Sequence, residues 1–438
     1  MEPQSEAVSK GEGSMFRLRI LIVGAALLNG ASPEESRLRR INEVTRLPGF
    51  AAFWDFVLRD EAGRFEAWLP NGKRGLPLDA RNYVKDYWGI GRDATLEDFP
   101  LLGSGPFGQA IEIRNESDPN FRPVLLLPRS QFHGSAIDVS GPGNSVSMVA
   151  WVVHNGGNHA IAGIWHEGTD LSQPGAAVQR IENGRRQYAI FAGLAANNGA
   201  SAAHVSENGG PSFGDKYARN LAVTSHRIAP APAWSVVGFT FDNASNTVTA
   251  YIDGRATPYW IDNPQQHPFF KWPAEAWRQG KLHSRPGTQD GENPSFPADQ
   301  YYLPPETKIV RTETISRART ERVILRTFPF TKVRVTLRRD EDGRWTVFGE
   351  ELVALKVNPF WFAHDLFSPG AAGNGGPFTI GRVIHSSRGV GFTGWIGGVA
   401  VFDRALSAAQ MRRLARKTVL PMRIDMTKSG VRSPAPLR

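Results

Sequence analysis

Short apolar runs, each bounded by turn-forming residues, constrain the fold of this chain more than any other feature of its sequence. The run VSMVAWVVH (Val146 to His154) is almost continuously apolar, which is typical of a strand buried on both faces. WSVVGFTFD (Trp234 to Asp242) and TVTAYIDG (Thr247 to Gly254) are separated by a short turn and predict a hairpin. With 45 glycines and 31 prolines in 438 residues, the sequence predicts an all-β protein with many turns.

Other segments follow the same pattern. Further predicted strands are FAAFWDFV (50–57), GPFGQAIEI (105–113), VLLLPR (124–129), HAIAGIWHEG (159–168), QYAIFAGL (187–194) and FTIGRVI (378–384). Only an Asn-Gly-Gly-Asn turn separates 146–154 from 159–168, so we expect these two strands to form a hairpin or to be neighbours. The sequence predicts loops with at most short strands for residues 195–233. It predicts a short helix for Glu34 to Arg46.

Several of these segments, taken in chain order, carry a family resemblance. FWDF (53–56), GPFGQAIEI, SVSMVAWVV with Trp151, AIAGIW (160–165), the hairpin WSVVGFTFD and VTAYIDG, and FTIGR followed by GFTGWIGGVAVFDRALSAAQMRRL stand in the family's order. The chain thereby resembles the LamG-like jelly roll of the concanavalin A-like lectin/glucanase superfamily over roughly residues 48–418. The resemblance implies an antiparallel β-sandwich whose first and last strands are adjacent.

The end of the chain fits this architecture. The resemblance places the last strand at Gly394 to Phe402, beside Phe53 to Phe56. A short C-terminal helix at 406–414 follows, with Ser407 as N-cap and Leu406, Met411 and Leu414 as the residues that pack back on the sheet.

The sequence predicts that the chain is divided into five segments. Residues 264–376 lack the family pattern, but TKVRVTLRRDEDGRWTVF (331–348) within them predicts a hairpin that turns at Asp342-Gly343. The predicted organisation is a signal-peptide-like segment and linker (1–47), the first part of the jelly roll (48–263), an insertion (264–376), the closing strands and helix (377–418) and a basic tail (419–438).

Charge and N-terminal sequence bear on location and partners. The net charge is +9, but the residues from Met411 onward supply most of it, and no nucleic-acid motif accompanies them, so we expect no nucleic-acid partner. MFRLRILIVGAALLNGAS (15–32) has the order of a secretory signal peptide and is too short to span a bilayer as an anchor. The sequence therefore predicts a protein that is secreted, periplasmic or part of the cell envelope.

The sequence offers no set of metal ligands. It has no cysteine, which excludes disulfides and thiolate metal sites. Members of the resembled superfamily often bind Ca²⁺ through an acid in the closing strand, where this chain has Gly397 followed by Gly398. Asp55 in the first strand would lie nearby, but a single carboxylate is too few for Ca²⁺. Ca²⁺ therefore stays an open alternative that the sequence does not support, and no other cofactor is predicted.

Catalysis is not expected. Glycan hydrolases on this fold need two carboxylates on one strand face, and no predicted strand carries such a pair. Lyases use basic and tyrosine side chains, for which Tyr188, His204 and Arg219 are the residue types, but no lyase motif surrounds them. A hydrolase or lyase remains the third hypothesis.

The candidate ligand-binding residues are Trp165, His166, Glu167, Tyr188, His204, Tyr217 and Arg219. Sugar sites combine aromatic surfaces with hydrogen-bonding groups, and these residues border turns or lie in the polar loop 204–220. The simplest interpretation of His166 and Glu167 is that they are rim residues, and strand alternation directs His166 away from Trp165 and Glu167. In contrast, Trp54, Trp151, Trp234 and Trp395 are expected in the core.

The first functional hypothesis is an exported, non-catalytic binding protein for carbohydrate or a glycan-bearing surface. The second is a structural or adhesive module of the cell envelope, in which the insertion (264–376) binds a protein partner. Fold alone does not separate them.

Overall fold

Antiparallel strands are the dominant secondary structure of the described residues, as expected for an all-β protein. The computed structural model describes residues 32–170, 181–182, 185–193, 199–207, 209, 221–267, 274, 308–362, 364–385, 388–389 and 391–419. The first elements are α1 (Pro33–Thr45), β1 (Phe50–Arg59), β2 (Phe65–Trp68), β3 (Arg74–Asn82), α2 (Tyr83–Trp88), β4 (Leu101–Gly105), β5 (Gly108–Ile113) and β6 (Pro123–Leu127). Next come β7 (Val146–Gly156), β8 (Ala160–His166), β9 (Thr169–Asp170), β10 (Ile181–Glu182), β11 (Arg185–Ala192), β12 (Ala200–Val205), β13 (Leu221–Arg227), β14 (Ser235–Asp242) and β15 (Thr247–Ile252). The last are β16 (Tyr259–Asp262), β17 (Arg311–Arg317), β18 (Glu321–Thr327), β19 (Thr331–Arg339), β20 (Trp345–Asn358), β21 (Phe360–Trp361), β22 (Phe378–Ile380), β23 (Thr393–Phe402) and α3 (Ala408–Thr418).

Two layers form the sandwich. Layer one has the order β13-β12-β11-β8-β22-β6-β3, and layer two has the order β2-β1-β23-β7-β14-β15-β21. The pairing of β2 with β3 connects the layers, and β4 and β5 extend layer two beside β23. The predicted antiparallel β-sandwich is confirmed.

Aromatic side chains from both layers fill the space between them. Trp54 of β1 stacks on Phe378 of β22 with ring centroids 4.9 Å apart, and Tyr188 of β11 contacts Phe239 of β14 at 6.4 Å. All four are fully buried. Burial of one such side chain contributes about 1.5–3 kcal/mol to folding, so this core is the main source of stability.

The closing strand β23 joins the two ends of the chain, as the sequence predicts. It lies between β1 and β7, with Phe53 opposite Ala400 on one side and Trp151 opposite Gly398 on the other. Residues 394–396 of β23 pair with β5, whereas the residues from Val399 onward pair with β1.

The two glycines mark the point where β23 changes partner. The register with β7 shifts between Ile396 and Gly398, so Gly397 is the extra residue of a β-bulge. A Cβ atom on Gly397 would lie 2.5 Å from Cδ of Pro106 and 2.8 Å from the Trp234 ring. Close packing therefore excludes a side chain at the position where the resembled family often has an acid.

Two capped helices cover the outer face of layer two. α1 begins with a capping box formed by Ser32 and Glu35, and α3 begins with one formed by Ser407 and Gln410. The predicted N-cap and the burial of Leu406, Met411 and Leu414 are confirmed. The expected core residues Trp151, Trp234 and Trp395 lie in the hydrophobic cluster under these helices.

A second sheet has the order β16-β20-β19-β18-β17. The predicted hairpin at 331–348 is confirmed as β19 and β20, with a turn closed by the Gly343 amide bonding to the Asp340 carbonyl. The insertion is predicted to start at 264, but this sheet contains strands from both sides of that position, because β16 pairs with β20. Buried Asn358 fastens it to the sandwich, since its amide group bonds both backbone groups of Ala250.

The expected pairing of β7 with β8 is wrong. β7 pairs with β23 and β14, whereas β8 pairs with β11 and β22 in the other layer. The Asn-Gly-Gly-Asn segment is a crossover between layers, in which Gly156 and Gly157 both adopt positive φ. Sequence patterning also misses β2, β3, β4, β16, β17, β18 and α2.

In the part of the chain that the structure describes, no helix is long and apolar enough to cross a membrane.

We predict that Gly397→Ala destabilises the fold by about 1–3 kcal/mol, because the added methyl group overpacks against Pro106 and Trp234. The matched control is Gly349→Ala in β20, where a Cβ atom meets nothing within 4 Å. Urea denaturation should place the control within about 0.5 kcal/mol of the wild type. Equal stability of the two variants would contradict the packing account of the bulge.

Candidate functional site

Three rings lie together on the face of layer one that points away from layer two. Tyr188 points toward layer two and is paired with Val205, so the neighbouring pair Ala189 and His204 points outward. Trp165 of β8 lies 4.8 Å from the His204 ring and 5.7 Å from Phe191, measured between centroids. Three adjacent strands thus supply one outward-facing aromatic cluster.

A carboxylate with two histidines adjoins these rings. The Trp165 indole N–H donates to Oε1 of Glu167 at 3.2 Å. Nε2 of His385 lies 2.8 Å from Oε2 of Glu167, and Nε2 of His159 lies 3.6 Å from Oε1. His159 also lies against Phe191, with centroids 5.5 Å apart. We call His159, Glu167 and His385 the His-Glu-His cluster.

The backbone fixes the positions of the cluster residues. His159 ends the crossover between β7 and β8, and its carbonyl accepts from the Ala192 amide. The Glu167 amide donates to the carbonyl of Ile384 at 2.9 Å, which aligns Glu167 with His385. Main-chain hydrogen bonds in a sheet therefore hold the three side chains in register before any ligand arrives.

The cluster has a defined charge state. Burial alone would raise the pKa of Glu167, but the hydrogen bond with His385 and the nearby basic groups outweigh it and lower the pKa to about 2. Burial lowers the pKa of His159 to about 4, against the opposing effect of Glu167. It also lowers the pKa of Arg186, which Glu167 partly offsets. At neutral pH, Glu167 is a carboxylate and His159 is neutral.

A groove of about 540 Å³ opens beside β3 and β6. Leu126 at its base alternates with core residues Leu125 and Leu127, so the groove lies on the outward face of layer one. Its walls combine apolar surface, an aromatic ring and charged groups, supplied among others by Asp79, Arg81, Asp86, Tyr87, Leu126 and Arg185.

His166, the last residue of β8, connects the groove to the segment that carries Glu167. Its Nδ1 atom accepts from the Gly168 amide at 3.0 Å, and its Nε2 atom lies 3.0 Å from the Tyr87 hydroxyl. Burial lowers the pKa of His166 to about 3, so the ring is neutral and Nε2 is its donor. His166 therefore fixes a ring of the groove wall.

The structure brings together Trp165, Glu167 and His204, and it separates His166 from them, in agreement with strand alternation. The interpretation of His166 and Glu167 as rim residues is wrong, because His166 is 1% exposed and the Glu167 side chain 12% exposed. Two further candidate residues, Tyr217 and Arg219, lie outside the described residues.

Tyr188 has a structural position. It is fully buried and its hydroxyl donates to the carbonyl of Ile137 at 2.5 Å. Burial also raises its pKa, so the phenol stays protonated. The buried Trp165 and His204 likewise offer little surface to a ligand, at 1% and 3% exposure.

Sequence reasoning missed the residues that complete the site. These residues are His159, His385 and Tyr87, which belong to no spaced motif. His159 follows a turn and His385 follows β22, and the folded sheet brings both to Glu167. Tyr87 lies in α2, which the fold places beside His166. The weak signals are a histidine after a Gly-rich turn and another after the strand FTIGRVI.

The Asp55 carboxylate has protein partners for both of its oxygens. Oδ2 accepts from Arg37 at 2.7 Å and from the Trp68 indole at 3.0 Å, while Oδ1 accepts from the amides of Val57 and Leu58. It thus ties α1 and β2 to β1, and it offers no oxygen to Ca²⁺ in this arrangement.

No protein-family model and no curated protein matches the chain. Among solved structures it is similar to domain 4 of a GH43 extracellular arabinanase from Geobacillus stearothermophilus in complex with arabinotriose, at TM-score 0.34 and 12% identity, covering 84% of this chain and 98% of that one. It is also similar to the binding domain of botulinum neurotoxin DC in complex with rat synaptotagmin II, at TM-score 0.32 and 9% identity over 85% of this chain. The chain spans about half of that toxin domain, 52%. At such low identity and TM-score, these likenesses do not identify a ligand or an activity.

We predict that Tyr188→Phe lowers the free energy of unfolding by about 1–2 kcal/mol, because the Ile137 carbonyl loses its buried donor. Urea denaturation measures this loss, and Tyr259→Phe, at a half-buried position, serves as a control that should stay within about 0.5 kcal/mol. A Tyr188→Phe variant with wild-type stability but altered ligand binding would instead assign the hydroxyl to ligand contact.

Proposed function

We propose that this protein is an exported, non-catalytic, LamG-like binding protein that recognises a carbohydrate in the groove on the outward face of layer one. The groove is the observation on which this proposal rests. Its volume of about 540 Å³ lies within the range of about 300–1,000 Å³ that is usual for small-molecule sites. Export rests on the signal-peptide-like segment 15–32, of which residues 15–31 lie outside the described residues.

The groove chemistry suits a sugar ring. Sugars present C–H faces that pack on apolar and aromatic surfaces, and hydroxyls that both donate and accept hydrogen bonds. Leu126 and Tyr87 provide apolar surface, while the Arg81 side chain is 51% and the Asp86 side chain 27% exposed. Arg81 holds Asp86 through two hydrogen bonds of 3.0 Å, which orients a donor and an acceptor side by side.

The same ion pairs favour binding over hydrolysis. A glycosidase needs one carboxyl that keeps its proton and a second that is ionised. In the groove, Asp79 pairs with Arg64 and Asp86 pairs with Arg81, each at 3.0 Å. Both carboxyl groups are thus engaged by guanidinium groups, so neither is free to approach a glycosidic oxygen as a general acid.

The test is a glycan array probed with the full chain, followed by affinity measurement on the best glycan. We expect Arg81→Ala to weaken binding by about 10–100-fold, because a hydrogen bond to a charged group is worth about 1.5–3 kcal/mol. Arg334→Ala is the matched control, since its side chain is 49% exposed and pairs with one glutamate in the second sheet.

Absence of any glycan signal, or equal affinity of the Arg81→Ala and Arg334→Ala variants, would refute carbohydrate recognition in the groove.

A second candidate function, a protein-interaction module, is favoured by the second sheet. This sheet exposes large apolar side chains, including Val310 at 62%, Ile315 at 57% and Phe348 at 60%. Among the described residues, β17 pairs only with β18, so its other edge has backbone groups available for an added strand. The occupant we propose is an extended segment of an envelope protein.

We predict that the Ile315→Lys variant of the full chain, used as bait in a pull-down, no longer captures such a partner. Lysine on an edge strand opposes strand addition. Pull-down from an envelope fraction, compared with wild-type bait, measures this, and glycan affinity should stay unchanged in the same variant. A partner retained by the Ile315→Lys bait would exclude this edge.

A further inference from the structure

We propose that His159, Glu167 and His385 form a binding site for Zn²⁺ with one coordination position open to solvent. The three residues offer two imidazole nitrogens and one carboxylate oxygen, all within 4.8 Å of one another. This site is separate from the groove and independent of the proposed function.

The donor set matches the chemistry of zinc. Zn²⁺ binds imidazole nitrogen and carboxylate oxygen at about 2.0–2.2 Å in tetrahedral geometry, and two histidines with one glutamate leave the fourth position for water or a ligand. Ca²⁺ and Mg²⁺ prefer all-oxygen sites, so this set disfavours them. The side chains of His159 and His385 are 20% and 26% exposed, which leaves a route from solvent to the cluster.

The distances support one ion between the three groups. Two ligand atoms of a tetrahedral zinc are about 3.4 Å apart, given the bond lengths above. The 3.6 Å between Nε2 of His159 and Oε1 of Glu167 is too long for a hydrogen bond and is close to this separation. His385 lies 2.8 Å from the other carboxylate oxygen, Oε2, so a single ion needs a small rotation of the Glu167 carboxylate and a widening of this contact by about 0.6 Å.

An ion pair between Glu167 and His385 accounts for only two members of the cluster. That ion pair does not explain why the Nε2 atom of a second imidazole, His159, faces the same carboxylate. A shared metal ion accounts for all three. The guanidinium of Arg186, a nearby cation, bonds to the Glu167 carbonyl at 3.1 Å and lies over the Trp165 ring.

Neighbouring residues support the ligands as outer-shell groups do in metal sites. The Trp165 indole donates to Oε1 of Glu167, and the Glu167 amide is held by Ile384. Such contacts orient a ligand, and their loss typically costs 10–100-fold in metal affinity. Trp165, one of the predicted ligand-binding residues, is thus a positioning residue for Glu167.

The test is titration of Zn²⁺ into the full chain after removal of metal with EDTA, followed by calorimetry. We expect one bound equivalent in the wild type and more than about 100-fold weaker binding in His385→Gln and in His159→Gln. Trp165→Phe should bind about 10-fold more weakly, because it keeps an aromatic ring at this position but lacks the indole donor. His226→Gln, at an exposed histidine in β13, is the matched control and should bind as the wild type does.

A second measurement covers the case in which a cluster variant does not fold. Wild-type protein loaded with Co²⁺ should show intense visible absorption typical of four- or five-coordinate cobalt with imidazole ligands. No metal uptake by the wild type, a weak six-coordinate spectrum, or unchanged affinity in folded His385→Gln and His159→Gln would each overturn the proposal.

Discussion

The insertion of β23 between β1 and β7 is the constraint on which the rest of the fold depends. Residues more than 300 positions apart form this three-stranded centre of layer two, because Phe53 pairs with Ala400. Contacts so distant in sequence carry a large loop-closure cost, which the chain recovers through buried aromatic residues on both faces of the sheet. The bulge at Gly397 lets one strand serve β5 and then β1, and only a residue without a side chain fits beneath Pro106 and Trp234.

The two layers have different outer faces, and this difference decides where a ligand can bind. Helices α1 and α3 cover layer two, and their apolar residues, including Ile41 and Met411, pack on Trp151 and its neighbours. The buried ion pair between Arg37 and Asp55 fastens α1 to the first strand. Removing one partner of such a pair leaves an uncompensated charge and typically costs 3–5 kcal/mol. Among the described helices, α2 packs on layer one beside Val124 and Ile384, and this layer carries both the groove and the His-Glu-His cluster.

Burial gives the candidate residues of layer one distinct roles. His166 is neutral and holds Tyr87 at the groove, whereas Glu167 stays ionised because basic groups surround it. His166, the last residue of β8, and Glu167, directly after it, thus contact two separate sites. Strand alternation in β11 places Tyr188 in the core, where its hydroxyl stabilises the fold.

The sequence by itself determined the β-class, most strand positions, the hairpins at 234–254 and 331–348, and the capped C-terminal helix. These features depend on local patterns: apolar alternation, Asp-Gly turns and a Ser407 cap. Only the tertiary structure decided that β7 and β8 lie in different layers and that Gly397 is a packing requirement. It alone brought His159 and His385 to Glu167, and Tyr87 to His166. Such contacts depend on strand order across two layers, and sheet order is set by long-range packing that no local pattern encodes.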